Sequence, residues 1–190
     1  MLSSDFVRRF PRLYHMADLN SWESIRNHGL LSTSGLLDLF EVTGEERETI
    51  ETRHRPESVS ISHPRHGTAV VRDQKPLSDS RLSSCLIDMT PTEWYQCLNS
   101  KVFFWLTEER LLRFLNAKSY KDKAHSVLTL DTSAIFRDQM GRISLSPMNS
   151  GCTRPFAHPR GSATFQRFSE YPFSTRRNRP DIAVELLIAV

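Results

Sequence analysis

At 190 residues, with hydrophobic residues at 38% and charged residues at 25%, the chain suits one soluble globular domain with a genuine core and is short for two. A formal charge of +3 does not by itself announce a nucleic-acid binder, and no apolar run approaches the ~18 residues of a membrane span. The odd number of cysteines (Cys85, Cys97 and Cys152), without metal-type pairing, and a leading MLSSDFVRRFPRLYH without a signal-peptide core point to free thiols and a cytoplasmic location.

In chain order, residues 12–17 read as a short strand turning into a helix. Asn20-Ser21-Trp22-Glu23 has the form of a capping box, and Gly29 supplies the left-handed stop. Residues 41–80 carry an acidic helical piece near 44–53, then a polar stretch punctuated by His54, Pro56, His63 and Pro64. That stretch is expected to be a loop or lid insertion. Thr90-Pro91-Thr92-Glu93 is a strong helix start, with Trp94, Tyr95 and Leu98 as its buried side and Asn99 as its end. Val102–Leu106 reads as a buried aromatic strand. Thr107 then caps a helix that turns Leu111, Leu112, Phe114 and Leu115 inward. Strands are expected at Ser126–Leu130 and Asp181–Val190, with shorter pieces at Ile143–Leu145 and Ala163–Phe168. Strands and short helices without regular alternation predict an α+β domain spanning 1–190.

Charge is unevenly placed. From Asp38 to Glu51 there are six acidic residues against one arginine; from Gly151 to Pro180 there are six arginines against Glu170 alone. Arginines in such a stretch either hold phosphates or form a solvated face. Three features put a functional side chain on a buried scaffold. His15 lies on a strand that turns into a helix, where its imidazole either satisfies the core or bonds a ribose hydroxyl. Phe103–Trp105 is core or a stacking surface. Glu185, in an otherwise apolar strand, is an edge charge or a working carboxylate.

The order His, aromatic strand plus helix, Glu resembles the H-Y-E arrangement of the ADP-ribosyltransferase superfamily, in its diphtheria-toxin-like and poly-ADP-ribose-polymerase branch. The likeness is most specific at Leu13-Tyr14-His15-Met16-Ala17-Asp18 followed by Trp22–Leu30, and at Ala183-Val184-Glu185-Leu186-Leu187-Ile188. Val71–Leu77 and Leu98–Trp105 are similar to the DarT-type nucleic-acid enzymes and their bacterial relatives. The middle tyrosine of the pattern is absent, with Phe103 in its place and Phe114 eleven residues on.

The resemblance implies a fold of split antiparallel sheets flanked by short helices, with NAD as co-substrate and no metal. It implies mono-ADP-ribosyl transfer to a nucleic acid or protein, as a bacterial toxin or defence effector with an antitoxin partner and no membrane association. In that picture Glu185 stabilises the cationic sugar, and Phe103 and Phe114 attract the nicotinamide. His15 bonds the adenosine-side ribose. Arg72, Arg154 and Arg160 are candidates for the phosphates, and Ser32 in Ser32-Thr33-Ser34 for ribose or phosphate. An RNA 2′-phosphotransferase of the same fold has no need of Glu185. A nucleotide-binding module without catalysis is the third implication.

Overall fold

Two seven-residue strands, β1 (Arg12–Asp18) and β5 (His125–Asp131), pair antiparallel along their whole length, from Arg12↔Asp131 to Asp18↔His125. They belong to a computed structural model that describes residues 1–173 and the backbone of 185–189. The remaining strands of this sheet are β4 (Lys101–Trp105), β6 (Ile143–Ser146), β7 (Gln166–Arg167) and β8 (Glu185–Ala189). The strand order is β5-β1-β4-β8-β6-β7, and every pairing is antiparallel. The chain is α+β, as its composition of strands and short helices predicts.

The sheet is nearly two sheets. β4 holds β8 through five residue pairs, but β1 and β4 meet at one pair, Tyr14↔Trp105. On one face the two parts share a core. Leu13 of β1, Val102 and Phe104 of β4, and Ile143 and Leu145 of β6 pack together under Phe6 and Phe136. Those two rings come from α1 (Ser3–Arg9) and α8 (Thr132–Gln139). Burial of such side chains at about 1.5–3 kcal/mol each binds the two parts despite the single backbone junction.

The opposite face carries Lys101, Phe103 and Trp105, the odd positions of β4. Trp105 packs with Phe114 of α7 (Glu108–Leu115) and with Tyr120 and Met16. Leu111 of α7 is buried, whereas Leu112 is exposed and does not pack inward as its helical spacing suggests. The helix α6 (Pro91–Asn99) begins with a full capping box, Thr90 and Glu93 satisfying each other's backbone N–H groups. It ends at Asn99, and buries Trp94, Tyr95 and Leu98.

Residues 41–80 differ from the polar loop read in the sequence. After α4 (Gly44–Thr52) they form a hairpin of β2 (Val59–His63) and β3 (Gly67–Val71), then α5 (Asp79–Cys85). Ile61, Ala69 and Val71 alternate inward from the hairpin onto Leu37 and Phe40 of α3 (Thr33–Leu39) and its C-cap, and onto Ile50 of α4. Few apolar residues are needed because each strand buries one face only. The Asn20 capping box also gives way. A 3-10 turn at Leu19–Ser21 precedes α2 (Trp22–His28), and Asp18 accepts the Asn20 N–H. Gly29 then closes α2 at φ +83°, a conformation that favours glycine. No helix among the described residues is long and apolar enough to cross a membrane.

Candidate functional site

Where β1 parts from β4, a cavity of about 250 Å³ opens to solvent. Its floor is His15–Asp18 of β1 and Phe103–Trp105 of β4. One wall is α2 with β3, and loop 149–151 forms part of the rim.

His15 spans the gap. Its Nδ1 lies 2.8 Å from the carbonyl oxygen of Phe103. A carbonyl only accepts, so the proton sits on Nδ1 and Nε2 keeps its lone pair. Burial pushes the imidazole down to about 4; the bond to Phe103 opposes this and the nearby Arg72 guanidinium reinforces it. At neutral pH His15 is an uncharged ring whose free function is to accept a hydrogen bond.

Arg72 directly follows β3 and reaches the same cavity. Its guanidinium lies 4.6 Å from the Tyr120 ring centre and 5.4 Å from that of Phe114. Nη1 reaches the Met16 carbonyl at 3.4 Å, and Nη2 is buried with no hydrogen-bond partner among the described residues. Burial lowers its affinity for its proton, partly offset by Tyr120, Asp73 and Asp18. An unpaired N–H of a buried cation is a standing demand for an anionic or carbonyl oxygen. Tyr120 donates to Asp73 Oδ1 at 2.9 Å; burial raises its phenol, which stays protonated.

The remaining candidates fall out differently. Phe103 and Phe114 both line the cavity. Phe103 meets Phe165 edge-on, and the ring of Phe114 lies against the guanidinium of Arg72. Ser32 lines the cavity too, but is 1% exposed, and its hydroxyl accepts the Gly35 N–H as the N-cap of α3. Arg154 is exposed and does not border the cavity. Arg160 is buried over Trp94 and donates from each of its three nitrogens to the carbonyls of His158, Ser150 and Cys152, so its guanidinium holds the rim loop. Glu185 starts β8, in register with Trp105 on one side and Ser146 on the other. Its side chain lies outside the described residues, as do Arg176, Arg177 and Arg179.

Sequence reasoning missed Tyr120, Asp73 and the buried pair Arg55–Asn99. Arg55 donates to the Arg72 carbonyl at 2.9 Å and to Asn99 Oδ1 at 3.2 Å. Burial brings Arg55 down to about 10. Asn99 in turn donates to the Glu51 carbonyl at 2.9 Å, so the two side chains fix the backbone from which Arg72 projects. Tyr120 sits in a Lys-rich turn without periodicity, and nothing in its surroundings marks it. The adjacency of Arg72 and Asp73 was a usable signal. Among the described residues no group of three His, Cys, Asp or Glu side chains is arranged to hold a metal ion.

Neither a curated protein nor a solved structure matches the chain. The model of a family of unknown function, DUF7002, matches residues 11–190. That span takes in β1, the cavity and β8, and the chain belongs to this family.

Proposed function

We propose that the chain is an NAD-dependent mono-ADP-ribosyltransferase acting on a nucleic-acid or protein acceptor. The observation that carries this is the neutral His15, which bridges the parted strands and lines the cavity with Nε2 left as an acceptor. Such an acceptor suits a ribose hydroxyl, and a carbonyl or phosphate oxygen would be repelled. Beside it the unpaired Arg72 Nη2 suits a phosphate oxygen. A sugar hydroxyl and a phosphate presented together are the chemistry of a nucleotide.

Transfer breaks the bond between the ribose C1′ and the nicotinamide nitrogen, the electron pair leaving with the neutral ring, while an acceptor heteroatom bonds C1′ and releases its proton. Glu185, at the head of β8 opposite Trp105, is the carboxylate assigned to the cationic sugar. Phe103 and Phe114 supply aromatic surface to the cavity. Labelled NAD incubated with the protein should release nicotinamide, and Glu185→Gln should reduce that release by a factor of about a hundred or more. Release that survives the substitution removes Glu185 from this role.

A second reading is favoured by one contact. The guanidinium already against Phe114 competes with the cationic nicotinamide for that ring. A nucleotide-binding module without transfer has no such conflict. It predicts binding of NAD and of ADP-ribose with equal strength and no nicotinamide release.

A further inference from the structure

Away from the cavity, three histidine rings meet where α2, α3 and the hairpin come together. His66 lies 5.2 Å from His28 and 4.8 Å from His63, centre to centre, and the 63–66 pair is stacked. All three surround Phe40, which is 3% exposed. His28 ends α2, Phe40 caps α3, His63 ends β2 and His66 sits in the hairpin turn. The hydrogen bonds define the neutral tautomers. His28 Nε2 approaches the His66 carbonyl at 3.2 Å and therefore carries its proton. His63 Nδ1 accepts the Arg65 N–H at 3.2 Å, leaving the proton on Nε2, 3.6 Å from Glu41 Oε2.

Of these contacts, the one accepted from the Arg65 N–H needs an unprotonated His63 Nδ1. Among the described residues Glu41 is the carboxylate that acts on His66 and His63, and it already pairs with Arg65 at 2.9 Å. A proton added to His66 would place positive charge against Arg65 and between the His28 and His63 rings, with one shared anion to offset it. Desolvation and the neighbouring His63, His28 and Arg65 hold His66 below the ordinary histidine value, Glu41 opposing. A group so shifted stabilises the fold fully above about pH 6.5 and loses that contribution as pH falls below it.

The elements joined here are those that wall the cavity: Ser24 and Ile25 of α2, Leu36 of α3, and Ala69 and Val71 of β3. We propose that His66, packed against His28 and His63, forms an acid-sensitive clamp on the cavity wall, whose proton uptake loosens the β2–β3 hairpin from α2 and α3. This holds whether or not the cavity performs transfer.

Amide hydrogen exchange on the full chain at pH 7 and pH 5, corrected for intrinsic rates, tests it without any ligand. Protection over residues 59–71 should fall roughly tenfold further than that of the β1–β5 amides, whose own acid loss is the His15 contribution. His66→Gln and, separately, His63→Gln should each flatten this acid response, and β1–β5 protection at pH 7 shows that each variant is folded. Equal hairpin protection at both pH values in the wild-type chain overturns the proposal. So does an acid loss of the same size in both variants.

Discussion

His15 owes its chemistry to a carbonyl 88 residues further along the chain. The bond to Phe103 fixes the tautomer, and burial fixes the charge. Because its folded pKa lies below the unfolded value, His15 contributes stability that is complete above about pH 6.5 and is lost as pH falls toward 4. The shift corresponds to about 3 kcal/mol. In urea unfolding the wild type should therefore lose more stability between pH 7 and pH 4 than His15→Phe does; equal losses in the two would show that His15 is not the group titrating. Arg72 belongs to the same scale. Arg72→Met keeps the packing on Tyr120 and Phe114 but removes the unpaired N–H, and NAD affinity measured by calorimetry should fall about tenfold or more. In the sequence His15 could be singled out by its place on a strand before a helix, but its partner could not, since strand pairing is a long-range fact. Arg160 and Arg154 looked alike in one arginine-rich stretch; burial under loop 150–158 separates them.

At the scale of elements, caps decided what was legible. Thr90, Pro91 and Glu93 announce α6 because each satisfies or avoids an orphan backbone donor locally. Thr90→Ala should lower stability by about 1 kcal/mol in thermal or urea unfolding, through loss of the hydroxyl's bonds to the Glu93 N–H and carboxylate. Of the two-turn helices, α1 has no side-chain cap and α3 has only that of Ser32. They persist because Phe6 and Leu37 are fully buried by neighbours distant in sequence. The hairpin was hidden for a related reason. Its turn, His63-Pro64-Arg65-His66-Gly67, is rich in polar residues, although Gly67 at φ +73° is the kind of residue such turns require. Loop 149–161 depends on one side chain: Arg160→Ala strands the Ser150 and Cys152 carbonyls, which should cost about 3 kcal/mol in unfolding measurements.

For the molecule as a whole, an α+β class followed from the mixture of periodicities, whereas the strand order β5-β1-β4-β8-β6-β7 did not. That order brings the last strand between β4 and β6 and leaves β1 attached to β4 at one residue pair. The opening beyond that pair is the cavity, and His15 is the side chain that crosses it. Phe103, Phe114 and Arg72 reach the same space, Ser32 lines it while serving as a cap, and Arg154 stays outside. The central claim is that this space binds NAD with His15 as an acceptor. Long-range proton–nitrogen NMR of the His15 ring tests it most directly. The spectrum at neutral pH should show a protonated Nδ1 and a bare Nε2, and added NAD should shift the Nε2 signal with saturation. An Nε2 signal that stays fixed while NAD is titrated to saturating concentration would contradict the account.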